Sequence, residues 1–450
     1  MLMQNTKNSH LKSTSHVQLI MHDVLKRARA LGATDACVSV NYDSGFSVDV
    51  RMNEVETVSF STDQGVAVTV YFGHQKGSAS SSDLSADALD AMLRAACDIA
   101  RVSAADPCFG LPDQSELCLE YPGLNLYTPW NITPQAAIEH ALQCESLALR
   151  LDPRIVNSDG VNVSTYTFLQ GYASTQGFEG LVESSRHQMS CSLLAKDGKK
   201  MQRDYEYTCA RDPEHMICPE ALARGAVARA TSRLGARTMK TQKSPVVFDS
   251  RVSSGLFSSF MNAISGGALY RHQSFLCDAV GQRLFPSDVR IHEQPHLLGA
   301  LGSAPFDGEG LVTRNNVFVD QGILQHYMLG SYSARRLGLK TTADTGGPFN
   351  LTIDPTAGDR DDLLKRMGTG LLVTELMGQG VNLQTGDYSR GASGFWVENG
   401  SIQFPVEEVT IAGSLKNMFL DIQAIGMDRN PNSSTRCGSV LIGDMMVAGS

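Results

Sequence analysis

The hydrophobic period of this chain switches from helical to two-residue within a few positions, and that switch limits the available folds more than any other feature. Val17, Ile20, Met21, Val24, Leu25, Ala28 and Leu31 recur at i, i+3 and i+4, and Gly32 stands where a glycine ends a helix. Beyond it Ala36, Val38, Val40, then Phe46, Val48, Val50, then Val58, Phe60, then Val66, Val68, Val70 and Phe72 alternate, as half-buried strands do. Asp43-Ser44-Gly45, Asp63-Gln64-Gly65 and Gly73 to Gly77 supply turn residues, so a strand meander is expected. Ser85 is a helix N-cap before Leu89, Met92, Leu93, Ala96, Ile99 and Ala100 on one face.

A connector spaced by Pro107, Pro112, Pro122 and Pro129 follows, and the order then repeats. Thr133-Pro134 opens a helix, strands run to about 210 with a hairpin at Asp197-Gly198, and Pro219 starts another helix. After the basic stretch Arg233 to Lys243 come a short strand at Pro245 to Phe248, an apolar helix at Val252 to Ile264, and then mainly strands. Asp320-Gln321-Gly322 and Asn399-Gly400 read as hairpin turns. The expected class is α+β: two helix/sheet/helix units at 16–125 and 126–240, then a β-rich domain at 241–450. At 450 residues the chain has room for two or three domains.

Charge narrows the partners. With 38 basic and 47 acidic residues the formal charge is −9, which argues against nucleic acid or an anionic membrane surface. The segment Met1 to Ser15 is polar and lacks an apolar leader core, no run is long enough to span a bilayer, and a cytoplasmic location is expected. Ten cysteines are scattered without a C-x-x-C pair, consistent with reduced thiols used as small core side chains.

Among motifs for chemistry, the P-loop, the Rossmann glycine fingerprint and the nucleophile elbow are absent. His292-Glu293-Gln294-Pro295-His296 matches H-E-x-x-H, in which two histidines on one helix face bind zinc and the glutamate activates water. Pro295 opposes the helix that this geometry needs, and Val289-Arg290-Ile291 reads as a strand entering a turn. An autonomous zinc peptidase using His292, Glu293 and His296 is therefore the alternative reading. Asp307 and Glu309 sit in a glycine-rich loop that suits a turn better than a calcium or acid/base site, and Ser331 to Leu339 reads as a solvated helix. Thr385 to Gly394 packs polar groups between glycines and is expected to be a loop.

Several strings are more specific. Leu372 to Asn382 (LVTELMGQGVN), Thr385 to Ala392 (TGDYSRGA), Gly394 to Gly400 (GFWVENG), Thr410 to Gly413, Ser331 to Lys340 and Cys437 to Leu441 together resemble the PmbA (TldE) branch of the TldD/PmbA peptidase family, over nearly the whole chain. The resemblance implies a subunit of a two-protein metalloprotease that trims or degrades peptides, including unfolded or modified ones. It also implies zinc in a TldD-type partner, held by H-E-x-x-x-H on a C-terminal-domain helix and a later cysteine. The corresponding helix here, Asp249 to Gly266, contains neither His nor Glu, and Cys437 stands alone near the position of the cysteine ligand. No cofactor bound by this chain and no catalytic residue within it are therefore expected, and Tyr388, Ser389 and Arg390 are expected to contact partner or peptide. A peptide-binding homodimer of the isolated chain is the non-catalytic alternative.

Overall fold

The computed structural model describes residues 14–449. α1 (Thr14–Ala30) leads into β1 (Asp35–Arg51), β2 (Glu54–Phe72), β3 (Gln75–Ser81) and α2 (Ala86–Val102). α3 (Pro134–Leu151) leads into β4 (Ile155–Ser174), β5 (Glu179–Asp197), β6 (Lys200–Ala210) and α4 (Pro219–Ser232). Helix, strands and helix occur twice, as the periodicity predicts. The two strand triplets form one antiparallel sheet, because β1 pairs with β4 and the spatial order is β3-β2-β1-β4-β5-β6.

That sheet buries one face. The even-numbered residues of β1 point the same way, and Val38 and Val40 pack with Val68 and Val70 under α1 and α2. Val48 and Val50, farther along the same face, pack with Val161, Val163, Met189 and Cys191 under α3 and α4. The helices sit where their caps direct: Ser85 accepts from Ala88 N, and Thr133 from Ala136 N with Pro134 in the first turn.

The meander differs from its reading in one respect. Asp43-Ser44-Gly45 and Asp63-Gln64-Gly65 are not turns but lie opposite one another within β1 and β2, with Asp43 across from Asp63 and Gly45 from Ser61. Gly45 serves a close approach instead: a Cβ there would stand 2.1 Å from the Thr165 carbonyl oxygen and 2.5 Å from the Tyr166 ring. The chain reverses at Met52 and Asn53, both left-handed at φ 53° and 61°, the geometry of a two-residue hairpin. Glu145 of α3, fully buried, accepts from Met52 N at 3.0 Å and Asn53 N at 2.7 Å, which holds a methionine in a conformation it disfavours.

The C-terminal region is β-rich, as expected. It opens with β7 (Gln242–Phe248), α5 (Ser250–Ala263), α6 (Gly266–Tyr270), β8 (Ile291–Glu293), β9 (Val317–Asp320), β10 (Ile323–Leu324), α7 (Ser331–Leu337) and β11 (Leu351–Ile353). It continues through α8 (Arg360–Met367), β12 (Gly370–Met377), β13 (Val381–Asn382), β14 (Asp387–Glu398), β15 (Ser401–Ser414), α9 (Leu415–Leu420), β16 (Ile422–Ile425) and β17 (Val440–Ala448). The main sheet runs β12-β7-β17-β15-β14-β13, with β16 beside β17, and a smaller one runs β10-β9-β8-β11. Phe260, Phe285 and Phe419 interlock between the layers, with ring centroids 5.0 to 5.9 Å apart. Gln321-Gly322 and Asn399-Gly400 turn the hairpins as read, all four residues having positive φ.

Replacing Glu145 with Ala is expected to lower stability by about 2 kcal/mol, since two turn amides lose their acceptor. Glu145→Gln, which keeps one acceptor oxygen, is expected to lose roughly half of that. Denaturant midpoints followed by circular dichroism check both.

Candidate functional site

Helix α5 stands at the centre of the site. Asp249 caps it, accepting from Arg251 N at 3.0 Å, and is itself paired with Arg360 at 3.2 Å. One face, through Leu256, Phe257, Phe260 and Met261, closes the domain core, while Arg251, Ser254 and Gly255 face outward. Ser253, on the buried side, meets Cys437, which is 1% exposed. Burial pushes the Cys437 thiol up to about 12, and the thiol reaches the Gly438 carbonyl at 3.2 Å. Beside it the Ser439 hydroxyl accepts from Ser250 N at 3.1 Å and donates to Asp428 at 2.6 Å.

This donor set does not fit zinc. A structural or catalytic zinc takes three or four thiolate, imidazole or carboxylate ligands, whereas Cys437 has hydroxyls and backbone beside it, and Asp428 is hydrogen-bonded to Ser439. Among the described residues no three His, Cys, Asp or Glu side chains gather to hold a metal.

Outward from α5 lies a cavity of about 560 Å³, walled by β6 and α4 on one side and by β12 and β14 on the other. Its lining is rich in arginine. Arg229 pairs with Asp204 at 3.3 Å, Arg233 with Asp204 at 3.6 Å and Glu375 at 2.6 Å, and Arg251 with Glu206 at 2.9 Å. Arg251 also lies over the rings of Tyr205 and Tyr207, 5.0 and 5.2 Å from their centroids. These positions are far apart in the chain and share no spacing, so nothing in the sequence alone marks them as one site.

The structure disperses the H-E-x-x-H string. His292 and Glu293 are consecutive residues of β8, a strand, and so point to opposite faces. His292 pairs with Asp354 at 3.1 Å, and His296, beyond the strand, meets the Thr313 hydroxyl at 2.9 Å. Glu293 is fully buried, accepting from Asn316 at 2.5 Å and from Phe349 N at 2.9 Å. The zinc geometry of the alternative reading is thus absent, because Pro295 and the strand keep the two imidazoles on separate partners.

Glu293 shares its enclosure with Asp344, and Asn316 donates to both. Burial first, then Asp344, drives the Glu293 carboxyl up to about 10, and Asp344 is raised as well. The pair therefore keeps a proton and acts as an internal hydrogen-bonded brace.

The loop expected at Thr385 to Gly394 is mostly strand, since Asp387 to Glu398 form β14 between β12 or β13 and β15. Tyr388, expected at a contact surface, is 2% exposed, packed edge-on to Phe248 and raised to about 12 by burial. Ser389 is exposed, and Arg390 points into the arginine-lined cavity. Asp307 and Glu309 are turn and cap residues: Asp307 accepts from the Glu309, Leu311 and Thr345 amides, and Glu309 accepts from Ser331 N and its hydroxyl at the start of α7.

Models of three PmbA/TldA metallopeptidase regions match the chain: domain 1 over residues 38–100, the central domain over 127–234 and the C-terminal domain over 241–449. Metalloprotease PmbA of Escherichia coli O157:H7 is 44% identical over 421 residues, covering 93% of this chain and 94% of that protein. A metalloprotease TldD homolog of Buchnera aphidicola is 22% identical over 395 residues, covering 82% of this chain and 80% of that one. Among solved structures, a Bacteroides thetaiotaomicron protein described as a candidate modulator of DNA gyrase superposes with a TM-score of 0.91 at 26% identity, over 97% of this chain and all of that one.

The Glu293 brace has a pH signature. A carboxyl raised in the fold holds a proton that the unfolded chain releases, so its contribution is full below about 4.5 and is lost as pH rises toward about 10. Stability is expected to fall across that window, by up to about 1.4 kcal/mol per pH unit. Glu293→Gln, which mimics the protonated form, is expected to match the parent chain near pH 5 and to decline less toward pH 9, as checked by urea midpoints across pH.

Proposed function

The chain belongs to the PmbA branch of the PmbA/TldA metallopeptidase family, and from that premise we propose that it is the zinc-free subunit of a two-protein peptidase. In this reading a TldD-type partner holds the zinc and cleaves unfolded or modified peptides in the cytoplasm, while this chain shapes the chamber in which they are held. The observation that carries the reading is α5. On the helix that the resemblance matches to the zinc helix, the outward positions are Arg251, Ser254 and Gly255, and the one matched cysteine is a buried neutral thiol. Such a face can bind and orient a peptide, but it offers no group to activate water.

A surface for the partner is supported by β2. Only Val66 to Phe72 of this strand pair with β3, so the outer edge from Glu54 to Gly65 has no strand beside it among the described residues. Met52, Val55, Val58 and Phe60 are exposed on this hairpin, Phe60 by 72%. An apolar, unpaired edge is a liability in a lone chain and a ready surface for a protein neighbour. No described helix is long and apolar enough to cross a membrane.

Metal analysis and peptide hydrolysis, measured on the chain alone and with its TldD-type partner, test the proposal. The expected result is substoichiometric zinc and no turnover alone, with turnover and an equivalent of zinc in the complex. Zinc-dependent turnover by the isolated chain would overturn it. A Phe60→Glu substitution is expected to weaken the complex by about 2 kcal/mol while leaving the melting temperature of the isolated chain unchanged, read by titration of labelled partner.

A further inference from the structure

The arginine-lined cavity carries an uncompensated charge. Five arginines line it, Arg203, Arg229, Arg233, Arg251 and Arg390, and four carboxylates, Asp159, Asp204, Glu206 and Glu375, pair with them. Every ion pair in this set leaves out Arg390. Its Nε is buried without an acceptor, and the Tyr388 hydroxyl lies beside its guanidinium. A half-buried guanidinium without an anion is partly desolvated at a cost that one arriving negative charge would offset.

The floor of the cavity is shaped to admit it. Gly255 lies mid-helix in α5, where glycine is a poor helix former, and it faces the cavity. The only atom within 4 Å of where its Cβ would stand is Arg390 Nη1, at 3.8 Å. A Cβ there would meet no backbone of a neighbouring element, so close packing at that atom does not require the glycine. It keeps open the space beside the guanidinium.

Resting on the peptide-handling reading above, we propose that this cavity binds the C-terminal carboxylate of a peptide, with Arg390 as its ion partner. A carboxylate matches the planar fork of arginine and brings the single charge that the pairing lacks. A phosphate dianion would instead face Asp204 and Glu375 with excess negative charge. Val252, Leu376 and Met377 line the same space and suit an apolar last side chain.

Calorimetric titration of the full chain with acetyl-Ala-Ala-Leu, as the free acid and as the amide, tests this. The free acid is expected to bind at least about tenfold tighter. Arg390→Gln is expected to abolish that preference. Gly255→Leu is expected to weaken the acid by at least about tenfold at an unchanged or higher melting temperature, which separates loss of space from loss of fold. Equal binding of acid and amide, a preference that survives Arg390→Gln, or displacement of the acid by inorganic phosphate at lower concentrations than by acetate would each overturn the assignment. Turnover with the TldD-type partner is scored separately on the amidated peptide: turnover without acid preference removes this inference alone, and acid preference without turnover removes the two-protein reading while this site stands.

Discussion

The pairing of β1 with β4, unbroken from Cys37–Ser174 to Val50–Val161, is the contact on which the rest of the molecule depends. It converts two strand triplets into one sheet whose helices all lie over a single apolar face. The opposite face is left polar, and there Ser39, Asn41, Asp43 and Gln170 meet loop residues Ser303 to Gly308 of the C-terminal region across a second cavity. The C-terminal domain is joined to it by polar contacts and by a small apolar cluster, in which Leu117, Cys118 and Phe178 pack with Phe306, Leu311 and Ala343.

Those polar contacts explain why the arginine cavity lies where it does. Asn432 bridges to Cys209 N and the Tyr207 carbonyl, Gln202 donates to Glu407, and Arg251 stacks over Tyr205 and Tyr207 while pairing with Glu206. The same arginine thus anchors β6 to α5 and forms part of the wall. Partly exposed ion pairs of this kind contribute little stability individually, about 1 kcal/mol or less each, so a network this dense is better explained by the field it sets up than by the strength it adds.

The elements legible in the sequence were those set by short-range rules. Helix faces, the Ser85 and Thr133 caps and the Asn399-Gly400 turn follow from spacing and local chemistry, and each is found. Gly45 reads as a turn because glycine serves both turns and close approaches, and only the neighbouring strand reveals which. Met52-Asn53 escaped because its turn is held by Glu145, from a helix far along the chain. Tyr388 reads as surface among glycines, yet strand alternation turns it inward. The cavity is illegible for a similar reason: arginines at 203, 229, 233, 251 and 390 become neighbours only through tertiary packing.

Burial also sets the protonation of Cys437 and Glu293 in this fold, favouring the neutral form of each. A thiol or carboxyl becomes a metal donor only when the site stabilises its deprotonated form, through the metal, neighbouring cations or hydrogen bonds to the anion. Cys437 has a serine hydroxyl and a carbonyl beside it, and burial holds it neutral; Glu293 faces a second carboxyl, and burial holds the pair protonated. Arginines are concentrated instead on the outward face of α5 and the walls opposite. Positive charge thus faces an open cavity while Cys437 and Glu293 are buried in the core, an arrangement suited to holding an anionic group supplied by a ligand.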